Sequence, residues 1–225
     1  MKYKLMLLIL LQLVLSHCVR FKENPLDPTT PTGFLLNYVL SNLKNKKIFI
    51  TGRQVDGKLE HTGFTPIGSN AIEKADYICN IDPIKPNNSY YKAMISDYLP
   101  APTDNWHRRA CNNPNCTDPA ENIDWVFKPN TSYYRVDGTY LFTTNSAGIV
   151  PSTSTIANPI SNISLSYWTG IKYNWVSSGN NCGGWSDNSG GSAGDVGTST
   201  SIDSQWYSYN NPDCSSVNFL LCVEQ

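Results

Sequence analysis

Seven cysteines, three histidines and a few clusters of arginine, tryptophan and carboxylate are the residues of this 225-residue chain that could do chemistry. A cysteine attacks as its thiolate and must be unpaired to do so. Past His17 only His61 and His107 remain, both read as surface residues, and no Gly-x-Ser-x-Gly turn presents a serine to either. Asp and Glu are scattered along the chain, whereas acid–base work needs two carboxyls brought together. Cys111 and Cys116 enclose Asn-Asn-Pro-Asn, but no second Cys or His pair lies nearby in sequence to complete a zinc site. Asp187, Asn188 and Asp195 offer oxygen ligands of the kind calcium takes. They lie in a Ser/Gly run that reads as a solvated loop, so no cofactor is expected and the chain reads as a non-enzyme.

Two clusters suit contact better than catalysis. In Trp106-His107-Arg108-Arg109 the arginine pair has the donors to hold sulfate or carboxylate, and Trp106 is an anchor for a protein contact. In Trp206-Tyr207-Ser208-Tyr209, Trp206 and Tyr207 are the second candidate surface. Trp125, Trp168 and Trp185 read as core.

The elements that must position these residues are short. Lys46-Lys47-Ile48-Phe49-Ile50-Thr51 reads as a strand closed by Gly52. Asn70 followed by Glu73 marks a helix start, and Ile72, Ala75, Ile78 and Cys79 recur at helical spacing, which turns Cys79 toward the core. Tyr90 to Ile95, Asp124 to Phe127, Trp168 to Trp175 and Val217 to Val223 are further strands. Tyr133 to Val136 and Thr139 to Phe142 form a hairpin about Asp137-Gly138. Val19 to about Asn45, rich in Pro, Thr and Asn, reads as a linker in which Phe34 to Leu43 is a short helix candidate.

Composition sets the bounds. At 40% hydrophobic and 12% aromatic the chain can bury a sizeable core, and only 16% of it is charged. The formal charge is −1, and losing Lys2 and Lys4 with a signal peptide takes it two units further, to about −3. No basic stripe exists, so nucleic acid is not an expected partner. Lys2 and Lys4 followed by apolar Leu5 to Leu15 form an export signal, too short to span a bilayer. Leu15-Ser16-His17-Cys18 resembles the lipobox of bacterial lipoproteins, with His17 where a small residue is usual. The expected organisation is therefore a signal over 1–17, a lipid-anchored Cys18 with its tether over 18–45, and one domain over 46–225. Setting Cys18 aside leaves six cysteines, an even set that reads as disulfides in an exported chain, with the pairing left open by spacing.

The ordered motifs of the domain resemble those of a known family. Ala75-Asp76-Tyr77-Ile78-Cys79 followed by Tyr91 to Ser96 resembles the cysteine-bearing helix and next strand of endostatin. Phe127-Lys128-Pro129-Asn130, Arg135-Val136-Asp137-Gly138, Trp168-Thr169-Gly170, Cys182-Gly183-Gly184-Trp185 and Leu221-Cys222-Val223-Glu224 follow in the same order. The chain is similar to the leptospiral endostatin-like (Len) surface lipoproteins, whose shared DUF1554-type domain covers about 46–225. The resemblance implies an α+β fold of the endostatin/C-type-lectin-like kind, disulfide-stabilised and loop-rich, with short helices packed on an antiparallel sheet. It implies the pairs Cys79–Cys222 and Cys182–Cys214, and leaves Cys111 and Cys116 to close their own small loop.

For function it implies a lipid-anchored protein of the outer membrane, at the cell surface, that binds host extracellular-matrix or plasma proteins: laminin, fibronectin, plasminogen, complement regulators. Endostatin's zinc histidines have no counterpart at the start of this domain. Two alternatives stand beside adhesion: a calcium-dependent glycan-binding lectin, and a structural envelope lipoprotein facing the periplasm.

Overall fold

The computed structural model describes residues 29–31, 33, 45–97 and 107–225. The chain divides into two units, Met1–Leu43 and Lys44–Gln225, and every strand among the described residues lies in the second. The expected signal, Cys18, the Phe34 to Leu43 helix and Trp106 lie outside the described residues. Among the described residues no helix is long and apolar enough to cross a membrane.

Seven strands form one sheet: β1 (Asn45–Ile50), β2 (Tyr91–Ala93), β3 (Ser132–Arg135), β4 (Tyr140–Thr143), β5 (Ser166–Trp168), β6 (Val196–Thr198) and β7 (Phe219–Glu224). Their order is β4-β3-β1-β7-β5-β6, and β2 also pairs with β7 beside β5. The last strand of the chain is thus the spine of the sheet, with β1 on one side and β2 and β5 on the other. That position explains why Leu220-Leu221-Cys222-Val223 is an unbroken apolar run, since both faces of a central strand are covered. The sheet is mixed, which corrects the antiparallel expectation: β1 pairs with β3 in parallel, as does β5 with β7. These partners are separated by long excursions of chain, and a hairpin's reversal of direction does not apply to them.

Alternation along the strands divides the core in two. Ile48 and Ile50 of β1, with Leu221 and Val223 of β7, face a cluster rich in aromatics: Trp125, Phe127, Tyr133, Phe142, Trp175, Trp206 and Tyr207. Phe49, Leu220 and Cys222 face the opposite side, where they meet Ile72, Ala75, Ile78 and Cys79 of helix α1 (Ala71–Ile81). The helix begins where its cap dictates. Asn70 Oδ1 accepts the Glu73 N–H at 2.9 Å, while Glu73 accepts from the Ser69 backbone and hydroxyl, at 2.8 and 2.7 Å. It is a capping box reaching one residue further back than usual. Pro83 follows the C-cap Asp82, where helix cannot continue.

Three disulfides lock this arrangement: Cys79–Cys222, Cys111–Cys116 and Cys182–Cys214. The first ties α1 to β7, the second closes a five-residue step, and the third pins the long β5–β7 excursion. The partners are those the resemblance implies.

Two expected strands are not strands. Trp168 closes β5, and Gly170 follows at φ +64°, where an added Cβ would sit 2.4 Å from the Ser96 carbonyl. Only glycine fits so close to a neighbouring backbone, which accounts for the Trp-Thr-Gly motif and for the departure of the chain from the sheet. Asp124 takes φ +42°, and Trp125 to Phe127 then enter the aromatic core without a strand partner.

Cys182-Gly183-Gly184-Trp185 has a local cause as well. All four residues have positive φ, from +51° to +72°, which makes the segment a left-handed turn rather than an ordinary helix. Left-handed backbone costs a residue with a Cβ roughly 1–2 kcal/mol, so the two glycines at its centre keep the turn affordable. Around Gly183 the nearest atom to an added Cβ is 3.5 Å away. Gly183→Ala is therefore expected to cost about 1–2 kcal/mol for conformation alone, read as a lowered guanidinium midpoint with an unchanged slope.

Candidate functional site

The arginine pair splits between core and surface. Arg108, expected on a binding surface, is fully buried. Its Nη1 and Nη2 donate to the two Asp76 oxygens at 2.8 and 2.9 Å, Nη1 also reaches the Ala93 carbonyl at 2.8 Å, and Nη2 donates to Asp124 Oδ2 at 2.5 Å. Lys92 pairs with the other Asp124 oxygen. Burial works against the guanidinium's charge, and the Asp76 and Asp124 carboxylates more than offset it, so its pKa is raised. Arg108 thus joins α1, β2 and the Asp124 turn from within. The sequence marks this poorly, because the partners lie 32 and 16 residues away.

Trp206 and Tyr207 are corrected in the same way: each is only 1% exposed. Asp203 caps the short turn Ser204–Trp206 by accepting the Gln205 N–H at 2.9 Å. The turn delivers Trp206 onto Phe142, with ring centres 5.2 Å apart, and Tyr207 onto Trp175 at 3.9 Å. Tyr209, two residues on, is 55% exposed and stays at the surface. Trp125, Trp168 and Trp185 are core as expected. His61 is exposed, but His107 is half-buried with Nδ1 3.5 Å from Asp97, so its reading as a surface residue is corrected too.

Arg109 keeps a place near the surface. It lines a pocket of about 350 Å³ with Cys111, Asn112, Lys172 and residues 176–179. The small disulfide loop is held there from two sides. Glu121 accepts the Asn112 and Asn113 amides at 3.1 and 2.7 Å, and Cys111 and Asn115 donate to Trp175 and Asn174 carbonyls at 3.2 and 2.8 Å. Arg109 Nε donates to the Glu121 carbonyl at 3.0 Å. Lys172, a cation 63 positions from Arg109 in sequence, reaches this pocket only through tertiary folding.

The oxygens considered for calcium go separate ways. Asp187 accepts from Ser189 and from the Ser192 hydroxyl, and those bonds hold its carboxyl below the usual range. Asn188 donates to Asp56 at 3.0 Å. Asp195 accepts from Asn180 at 3.2 Å, and burial pushes its carboxyl up against the opposing effect of its bonds to Ser178 and Asn180. Among the described residues no group of three or more His, Cys, Asp or Glu is gathered to hold a metal.

The raised Asp195 carboxyl has a consequence for stability. The folded domain holds a proton that the unfolded chain releases near pH 3.9, so stability falls as pH rises from there through the folded value. Asp195→Asn removes that loss. The variant is expected to match the wild type below about pH 3.9 and to exceed it at neutral pH, measured as guanidinium midpoints across the range.

A second concavity is larger and mostly apolar. It opens beside the end of β1 with a volume of about 600 Å³, between Ile48–Ile50, Ile84, the hairpin at Arg135–Asp137, residues 160–163 and Leu165. Its apolar rim is exposed: Ile84 by 55%, Val136 by 46% and Ile163 by 69%. Among the described residues no histidine or cysteine lines it. No sequence motif marked this groove, since its walls come from four separated segments.

Fold and surfaces together define a disulfide-stabilised α+β domain with one apolar groove and one basic pocket among its described concavities. The chain belongs to the family described as protein of unknown function (DUF1554), whose model matches residues 61–202, more than half of its length. No curated protein matches it.

Proposed function

We propose that this protein is an exported surface lipoprotein, anchored to the outer membrane through Cys18, whose domain binds host extracellular-matrix or plasma proteins without catalysis. The proposal places it with the leptospiral endostatin-like lipoproteins and its fold with the endostatin/C-type-lectin-like domains. The observation that carries it is the open groove of about 600 Å³ with its exposed isoleucines and valine and its lack of histidine or cysteine among the described residues. Exposed apolar surface of this kind marks sites of protein contact. The groups best suited to chemistry are engaged elsewhere: six cysteines in disulfides and Arg108 in the core.

The test is binding of the oxidised protein to immobilised laminin, fibronectin, plasminogen and factor H, with calcium and with chelator, at two salt concentrations. Saturable binding to at least one, indifferent to chelator, is expected. Binding that needs calcium would favour a lectin, and no binding to any of the four would remove the host-contact role. Protease treatment of intact cells tests the location: a surface domain is cut, and a periplasmic one survives.

A further inference from the structure

We propose that the groove beside β1 takes an extended peptide segment of a partner protein, apolar with a central acidic residue, added to the sheet as a short strand. The proposal rests on the binding-protein reading and names its surface. Three features of the groove carry it.

The first is one uncovered strand residue, Ile50, among the described residues, since, two positions on, the Gly52 N–H is already taken by Asp82 at 3.0 Å. β1 pairs with β3 only as far as Ile48↔Arg135, yet β1 continues to Ile50. Thr51 N–H donates to the Leu220 carbonyl at 2.9 Å. Backbone groups alternate in direction along a strand, so the N–H and C=O of Ile50 point away from β7, to the side that β3 has left. The outer strands of the sheet are treated differently. Ala157 N–H and Asn158 Nδ2 cover β4 through the Leu141 and Tyr140 carbonyls, at 2.8 and 2.9 Å. Tyr209 and Asn210 cover β6 at Val196, at 2.7 and 2.8 Å. Strand edges are normally protected in this way, and the end of β1 faces the groove instead.

The second feature is the apolar shelf of Ile84, Val136 and Ile163. Side chains of an added strand alternate, so those on one face would lie over this shelf while backbone bonds supply affinity. The third is Arg135. Its Nη1 donates to Asn162 Oδ1 at 3.3 Å, whereas its Nε is shielded from water and has no hydrogen-bond partner among the described residues. Nε is thereby closed to a ligand, and the side of the guanidinium that meets the groove is the Nη side, whose bond to Asn162 is exposed. A carboxylate is the acceptor that also matches the guanidinium's charge. The neighbouring Asp137 already takes the Thr139 N–H at 2.9 Å within its own turn.

The probe is a capped six-residue peptide of alternating valine and threonine with one central glutamate, titrated into the ¹⁵N-labelled, oxidised protein. Amide shifts are expected at Ile48 to Ile50, Arg135 to Asp137 and Ile163. Replacing the peptide's glutamate by glutamine, or Arg135→Gln in the protein, is expected to weaken binding about tenfold. Ile163→Glu, at an exposed position, is expected to abolish it with the rest of the spectrum unchanged. Shifts that are absent or centred elsewhere would overturn the proposal. So would equal binding of the glutamine peptide, or laurate shifting the same amides at the same concentration. The two readings fail separately. If Ile163→Glu leaves capture of a host protein intact and the peptide does not bind, the groove assignment falls and the binding role stands. If the peptide binds the groove while no host protein is captured, the host role falls and the peptide site stands.

Discussion

Replacing Arg108 by methionine is expected to destabilise the domain by about 3–5 kcal/mol, the range for removing one partner of a buried ion pair. Methionine fills much of the same volume, so the loss is electrostatic and directional rather than a cavity. It leaves Asp76, 6% exposed, with only the Ala93 N–H at 2.9 Å among the described residues to compensate its charge. It also leaves the Ala93 carbonyl without its guanidinium donor. Asp124 suffers less, because it is half exposed and keeps Lys92. Changing Asp76 to leucine in the same chain should recover part of the loss, since the stranded charge goes with it. Arg109→Met is the contrast. Its bonds to the Glu121 carbonyl and the Asn112 side chain lie near the surface, and about 1 kcal/mol or less is expected. Guanidinium midpoints with unchanged slopes measure all three, and a cost for Arg108→Met as small as that for Arg109→Met would show that the buried network does not hold the fold.

Removal of the Cys79–Cys222 bond by alanine at both positions is expected to cost about 4–5 kcal/mol in the chain-entropy limit. The bond spans 143 residues, against 32 for Cys182–Cys214 and 5 for Cys111–Cys116. Loop closure grows with the logarithm of length, which places the other two at roughly 3.7 and 2 kcal/mol. The ranking matters more than the values, because a native-state contribution can enter each. The Cys79–Cys222 pair has a second effect in the folded state, since both cysteines are fully buried between α1 and β7. The alanine pair therefore loses packing as well as the crosslink. Equilibrium denaturation of the three double variants would give the order. A Cys111–Cys116 variant less stable than the Cys79–Cys222 variant would overturn the chain-entropy account and point instead to the docking of the small loop on the Trp175 segment.

Much of the architecture is legible in the sequence because it is set locally. The Asn70 and Glu73 cap, the helical spacing that ends at Cys79, the Asp137-Gly138 turn and the alternation of Ile48, Phe49 and Ile50 each follow from neighbouring residues. The glycines in Trp-Thr-Gly and Cys-Gly-Gly-Trp were visible as a motif, and the structure supplies their cause in positive φ and close backbone approach. Parallel pairing was not legible, because nothing local records which strand returns beside β1 or β5.

The same division governs the candidate sites. Arg108 and Arg109 are adjacent and chemically alike, yet one is fully buried and the other lines a pocket. Which of them turns inward depends on Asp76 and Asp124, brought together only when α1 and the Asp124 turn close over β2. Trp206 and Tyr207 look like a recognition surface by residue type, and the aromatic core claims them because Phe142 and Trp175 arrive from other segments. The sequence by itself determined the local elements, the class of the domain and an even set of cysteines to bind it. Only the tertiary structure decided which side chains remain to meet a partner, because exposure is a property of long-range packing and no single segment carries it.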